Sequence, residues 1–311
     1  MNGQSSVLVS WGEFLWDMFP SGACLGGAPA NVALHLVKSG HATALITRLG
    51  RDELGDKATF ALTQAGLHPA GLQVDEQLPT GKVDITLVRG EPSYTLHPGA
   101  WREIQCDDAA VKLLGQARAF CYGSLSQESE TGLTSFRRAL RALPDNAVRF
   151  FDPNLRGGRI APALVRELLA AADIVKINDD EAQVLERCYK CDNATIWLLE
   201  ELQVKLVAQT HGASGATLTT ANEEVHHAGF AAGNGSEDGG DSVGAGDAFT
   251  SILIRAALAN TSLTDTIVAA NLYASFVAGQ RGATPIPPGS LLREIREQLG
   301  EELGKDTQPS G

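Results

Sequence analysis

Short apolar runs alternate with longer stretches of helical spacing along most of this chain, and that alternation predicts successive β-α units. Residues 7–9 read as a first strand. Gly26 and Gly27 then precede a helix whose apolar face includes Val32, Ala33, Leu36 and Val37, and Gly40 stops it. Residues 44–49 predict a second strand, and 54–65 a second helix that ends at Gly66. Further on, strands are expected at 119–122, 148–151, 174–177 and 204–208, with helices near 132–143 and 163–172. Residues 217–230 read as β structure, the run after Asp247 as a buried helix, and 265–279 and 288–299 as two more helices before a frayed polar tail at 301–311.

The rhythm breaks between residues 72 and 101. Val83, Ile85 and Leu87 alternate with Asp84, Thr86 and Val88, the turn Gly90-Glu91-Pro92 interrupts, and Tyr94 and Leu96 resume at period two. This predicts a half-buried hairpin, either an edge decoration or a lid that excludes water from a site. The expected fold is α/β: a single domain, 1–311, built on a doubly wound, mostly parallel sheet, with small β lid segments inserted at about 12–24 and 72–101. Ligands on such a sheet bind at the carboxyl ends of the strands.

Charge and cysteine usage narrow the partners. A net charge of −12 offers no basic excess for a nucleic-acid or anionic-membrane surface. Any phosphate must therefore be handled locally. Five cysteines, two of them in the isolated pair Cys188 and Cys191, form neither a disulfide framework nor a zinc set, as expected in a reducing cytoplasm. No basic-then-apolar leader and no run of about 18 apolar residues is present, so neither export nor membrane spanning is expected.

The chemistry concentrates in DSVGAGDAF, residues 241–249. Gly244, Ala245 and Gly246 stand directly before Asp247, which opens the apolar run Phe249, Ile252, Leu253, Ala256 and Ala257. First-turn N–H groups of a helix attract an anion, and glycines admit it close to the backbone. An anion hole and a carboxylate at one corner suit phosphoryl transfer to a hydroxyl: the amides hold developing charge while the carboxylate orients the nucleophile and accepts its proton. A loop-to-helix joint with a capping acid is the plainer reading of the same residues.

Four motifs in order carry a resemblance. GGAPANVA, N-x-x-E at Asn178 and Glu181, T-x-G-x-x-G at Thr210, Gly212 and Gly215, and DSVGAGDAF together resemble the ribokinase/PfkB family of carbohydrate kinases over about residues 7–300. Within that family, GEFLWD, GGAPANVA and DPNLR look most like fructokinases, with 2-keto-3-deoxygluconate kinases close behind. The chain has no G-x-x-x-x-G-K-[ST] phosphate loop, which this family does without.

The resemblance implies roles. Asp247 matches the catalytic base, and the amides of Gly244, Ala245 and Gly246 the anion hole. Asp17, Gly26, Gly27 and Asn31 match sugar contacts, and Arg156 of DPNLR reaches substrate or phosphate. Asn178, Thr210, Gly212, Gly215 and Asn271 match the ATP side, and Glu181 the acid that orders Mg²⁺ through water. Asp241, Val243, Val277, Gln280 and Gly282 correspond to a K⁺ site of some relatives. A homodimer formed through the β lid is also implied. One departure is the acidic, Gly-rich lead 233–240, where relatives carry an apolar strand. Two other classes of function remain open on sequence alone: a sugar-binding regulator without turnover, and a dehydrogenase, although no G-x-G-x-x-G follows the first strand. Because Tyr94, Leu96 and Trp101 of the expected lid are neutral, an uncharged ketose is the expected substrate, phosphorylated at its primary hydroxyl.

Overall fold

The computed structural model describes residues 7–19, 22–88, 91–155, 161–231 and 242–301, with backbone alone at 85–88 and 91–94. In chain order the strands are β1 (Val7–Trp11), β2 (Leu15–Phe19), β3 (Gly22–Gly26), β4 (Thr43–Gly50), β5 (Leu72–Asp75), β6 (Lys82–Val88), β7 (Glu91–His97), β8 (Ala117–Tyr122), β9 (Val148–Phe151), β10 (Ile174–Asn178), β11 (Leu206–Thr210), β12 (Ala216–Thr219) and β13 (Glu224–His227). The α-helices are α1 (Ala28–Lys38), α2 (Glu53–Gln64), α3 (Asp108–Leu114), α4 (Glu130–Ala142), α5 (Pro162–Ala170), α6 (Asp179–Tyr189), α7 (Ala194–Glu201), α8 (Ala245–Ala259), α9 (Leu263–Ala278) and α10 (Gly289–Leu299).

Among the described residues nine strands form one sheet in the order β13-β12-β11-β10-β9-β8-β1-β4-β5, parallel from β5 to β11 and antiparallel at β12 and β13. The order runs one way from β8 through β11 and the other way from β1 through β5, so the sheet reverses direction between β1 and β8. That is the expected doubly wound architecture, with a crevice at the carboxyl ends of the strands. Alternate residues feed opposite faces, as a strand's period of two requires. Val7, Val9, Trp11, Phe120 and Tyr122 pack in one core layer, with Phe136, Leu168 and Leu185 from the helices of that side. Leu8, Ala119, Cys121, Phe150 and Ile174 face the other layer, with Phe249, Ile252 and Leu253 of α8 and Tyr273 of α9.

The second sheet has the order β3-β2-β6-β7 and takes in most of the stretches where lid segments are expected. Its hairpin β6–β7 coincides with the alternating stretch, but the segment is narrower than expected. Residues 72–75 pair with β4 in parallel at the edge of the main sheet, so they belong to the body. At the other end, the second sheet takes in β3 as far as Gly26. Trp101 is also not an inner lid residue. Its ring is buried at the start of β6, where a Cβ at Gly81 would lie 2.3 Å from its Nε1. Three helices, α3, α6 and α7, were not among those expected; each starts on an Asx cap, Asp107, Asn178 and Asn193 respectively.

Candidate active site

The chain enters α8 through Gly244 in the left-handed region, φ 80°, and a Cβ there would stand 2.2 Å from the carbonyl oxygen of Ala283. Glycine is required twice over: for the dihedral and for the close approach of the 283 backbone. The turn delivers Asp247 to the first turn of α8, as expected. Asn31 on α1 donates from Nδ2 to Asp247 Oδ2 at 2.8 Å, which joins the first Gly-rich motif to the last across 216 residues of sequence. Asn31 is buried, and its Oδ1 has no hydrogen-bond partner among the described residues. A buried acceptor beside a carboxylate is ready for a ligand hydroxyl.

Gly27 opens α1 with φ 100°, where a Cβ would meet the Glu13 carbonyl oxygen at 2.5 Å. Asp17 lies on β2, and its Oδ2 fills the space that a Gly26 Cβ would take, 2.4 Å away. Gly26, Gly27, Asp17 and Asn31 thus run from the second sheet into the start of α1.

The two central motifs stand side by side, because Asn178 at the end of β10 pairs with Thr210 at the end of β11. Asn178 and Glu181 form a reciprocal capping box on α6, with Oδ1 of Asn178 accepting from the Glu181 N–H and Glu181 Oε2 accepting from the Asn178 N–H. The other oxygen, Oε1, accepts from the Leu155 N–H at 2.9 Å. Glu181 is buried, which raises its carboxyl pKa, and the charge of Lys176 opposes that rise. Gly212 and Gly215 both have positive φ, and a Cβ at Gly215 would fall 1.9 Å from the His227 carbonyl oxygen. Beside this loop His211 bridges Asp179 and Thr217 at 2.7 and 2.9 Å. Asn271 sits on α9 with Nδ2 donating to the Ile267 carbonyl at 2.8 Å. Val277, Gln280 and Gly282 lie at or just after the end of α9, and Val243 lies in the turn before Gly244; the contact of Gly244 with Ala283 brings these two segments together. Arg156, Asp241 and the acidic lead 233–240 fall outside the described residues.

Sequence reasoning missed a group of residues at the centre of this corner. Lys176 on β10 is buried, and its Nζ donates to Asp152 at 3.3 Å (Oδ1) and 3.0 Å (Oδ2). Asp152, just after β9, also accepts from Thr250 Oγ1 on α8 at 3.0 Å. Burial alone would lower the Lys176 pKa, but the charges of Asp152, Glu181 and Asp247 outweigh it and hold the ammonium protonated. A signal did exist, since a lysine inside the apolar run Ile174-Val175-Lys176-Ile177 is anomalous for a strand covered on both faces. On the far side of α8, His35 is fully buried and bridges Tyr273 Oη and the Ala283 carbonyl, each at 3.0 Å. A cavity of about 570 Å³ opens elsewhere, at the β4–β5 edge between Arg48, Gln73, Cys106 and Arg138.

The arrangement joins an amide-rich helix start, a positioned carboxylate and a buried cation at strand carboxyl ends, and it contains no dinucleotide fingerprint. Among the described residues no group of three or more metal-ligating side chains forms a cage, and no helix is long and apolar enough to cross a membrane. The family described as pfkB family carbohydrate kinase matches residues 24–288. A probable fructokinase-4 of Arabidopsis thaliana is 29% identical over 315 residues, covering 92% of this chain and 95% of its own. A fructokinase of Xylella fastidiosa, solved with bound ATP, superposes with a TM-score of 0.81 at 23% identity, covering 96% of this chain and all of that one. A Vibrio cholerae fructokinase in its fructose-, ADP- and calcium-bound form gives a TM-score of 0.75, also at 23% identity, over 94% of this chain and 99% of that one. With the family profile spanning most of the chain, the protein belongs to the pfkB family of carbohydrate kinases and is an ATP-dependent sugar kinase.

Proposed function

We propose that this kinase transfers the γ-phosphoryl group of ATP to the primary 6-hydroxyl of fructose, with Asp247 as the base and the N–H groups of Gly244, Ala245 and Gly246 as the anion hole. The observation that carries the reading is the Asn31–Asp247 hydrogen bond at the glycine-lined start of α8, with Asn31 Oδ1 left as a buried acceptor. A hydroxyl donating to that acceptor would be held against the carboxylate. An ordinary carboxylate does not deprotonate a sugar hydroxyl in advance, so Asp247 orients the nucleophile and takes its proton late, as the oxygen–phosphorus bond forms. Asp17, beneath Gly26, supplies a second acceptor for a polyol. Arg156 belongs to the same reading, as a contact to substrate or phosphate.

The nucleotide lies on the side of Asn178, Thr210, Gly212, Gly215 and Asn271. Mg²⁺ bound with the nucleotide would draw charge from the phosphate oxygens. Glu181 fits an indirect role only, because each of its oxygens already accepts a backbone N–H and retains a lone pair for a metal-bound water. K⁺ around Val243, Val277, Gln280 and Gly282, with Asp241, and a homodimer through the lid belong to the same reading. Similarity to fructokinases, two of them solved with ATP or with fructose and ADP, supports it.

The test is an ATP-coupled panel of fructose, 2-keto-3-deoxygluconate, ribose, tagatose and adenosine. Fructose is expected to give the highest kcat/KM. Tight fructose binding without ATP consumption would instead identify a sugar-binding regulator.

A further inference from the structure

We propose that Lys176 is a further catalytic residue of this kinase, an internal ammonium that contacts the transferred phosphoryl group from beneath the first turn of α8. The inference rests on the proposed phosphoryl transfer at Asp247. Three observations carry it. First, Nζ of Lys176 lies 2.9 Å from where a Cβ of Gly246 would be, so the ammonium presses against the middle of the glycine-lined turn, next to Asp247 in sequence. Glycine at 246 leaves that approach open, as it would need to be for an anion to reach both the amides and the ammonium. Second, the side chain is aimed there by its strand. Val175 and Ile177 pack in one core layer, and Lys176, alternating with them, faces α8 together with Ile174. Third, the ammonium is fixed. Both oxygens of Asp152 accept from it, and Thr250, one turn beyond Asp247, donates to the same Oδ2, so sheet and helix hold one buried carboxylate between them. Asp152 engages at most two of the three N–H bonds of the ammonium.

A buried ion pair gives little net stability compared with an apolar pair of the same volume. Here, however, it carries a positive charge, itself buried, to the place where phosphoryl oxygens gain negative charge. During the reaction the bond from the γ-phosphorus to the bridging oxygen breaks and ADP leaves with the electron pair. The sugar oxygen forms its bond to phosphorus, and its proton passes to Asp247. Lys176 keeps its proton throughout and contacts a non-bridging oxygen.

The alternative is that Lys176 serves only to neutralise Asp152. Lys176→Met alone would leave Asp152 buried and unpaired, so it is read together with the electroneutral double variant Lys176→Met/Asp152→Asn. Under the proposal the double variant regains the melting temperature lost in the single variant, keeps KM for both substrates within a few-fold of the parent, and remains about 100-fold or more below it in kcat. The double variant would also keep the thermal shift given by ADP and lose the additional shift given by ADP with tetrafluoroaluminate and fructose. Recovery of kcat to within tenfold of the parent would overturn the proposal. If neither variant folds, a crystal structure of the parent with ADP, fructose and tetrafluoroaluminate decides the matter: Nζ within about 3.2 Å of a fluorine supports it, and a separation beyond about 4 Å overturns it. A parent enzyme that consumes no ATP with any sugar would refute the underlying kinase reading instead. If another sugar is the substrate, the same variants are measured with that sugar.

Discussion

Two buried polar clusters flank the start of α8, and they are built on opposite principles. On the sheet side, Asp152, Lys176 and Thr250 bury full charges beneath the glycine-lined turn. On the α1–α9 side, His35, Tyr273 and the Ala283 carbonyl form an uncharged bridge. Burial and the charge of Lys38 lower the His35 pKa to about 3, so the imidazole is neutral; its Nε2–H then donates to Ala283 while Nδ1 accepts from Tyr273. Ala283 is also the residue whose backbone packs against Gly244. The neutral cluster therefore sets the shape of the turn, and the charged cluster sets its electrostatics. Of the two clusters, the one that carries charge is the one facing the turn where the proposed reaction develops charge.

Removing the carboxylate should break the chemistry and spare the architecture. Asp247→Asn keeps the shape of the side chain beside Asn31 and is expected to lower kcat by about 100-fold or more with sugar binding nearly intact. Turnover within a few-fold of the parent would exclude Asp247 as the base. Gly244→Ala acts on the other partner of the comparison. The left-handed dihedral costs about 1–2 kcal/mol for a residue with a Cβ, and the contact with the Ala283 backbone adds to this. A melting temperature lower by several degrees is expected, together with lost activity. An unchanged melting temperature would show that the turn is not held as described.

These two clusters also mark what the sequence could and could not convey. Strands and helices were legible because periodicity reports which face is buried, and β1, β9 and α8 fall where their apolar patterns put them. Asp247 was legible because helix starts have local signals. The Lys176–Asp152 pair was harder to see, because its meaning depends on which strand lies beside which, and β9 and β10 are brought together only by the parallel sheet. The role of His35 was invisible for the same reason: its partners lie 238 and 248 residues away. Residues 72–75 belong to the main sheet and not to the second one, because a strand added to the edge of the body has the same alternation as a strand of the small sheet.

The neutral cluster has a pH signature. The folded-state pKa of His35 is about 3, below its ordinary 6.5, so the unfolded chain binds more protons between these values. Stability is therefore full above about pH 6.5 and declines as pH falls toward 3, by up to about 1.4 kcal/mol per pH unit for one histidine. His41, lowered to about 4 by burial and then by the charge of Arg255, adds to the same slope. Asp173, lowered to about 2, loses its contribution only below the ordinary carboxylate range and does not enter the window from pH 4 to 6.5. Denaturant unfolding at half-unit pH steps should show this decline, and His35→Gln should flatten it. An equal slope in the variant would mean that the imidazole is not buried neutral.

The smallest expected effect concerns the sugar, and it returns the comparison to the lid. A 2-keto-3-deoxy sugar acid presents a carboxylate, which a matched site would meet with a cation in fixed geometry. The described lid residues do not offer one. Lys82 and His97 both face Asp84, at 3.3 and 2.7 Å, and Asp17 brings a carboxylate of its own to the strand that leads into the site. Leu25 and Met18 add apolar surface against the core beneath the lid. Such a surface suits an uncharged polyol, with Asp17 accepting from hydroxyls, and would place like charge near an acid substrate. Fructose should therefore exceed 2-keto-3-deoxygluconate in kcat/KM. Asp17→Asn should narrow the gap by weakening fructose use and relieving the repulsion of the acid. A parent ratio favouring the acid by tenfold, about 1.4 kcal/mol of transition-state preference, would overturn the choice of fructose and leave Asp247 and the kinase chemistry standing.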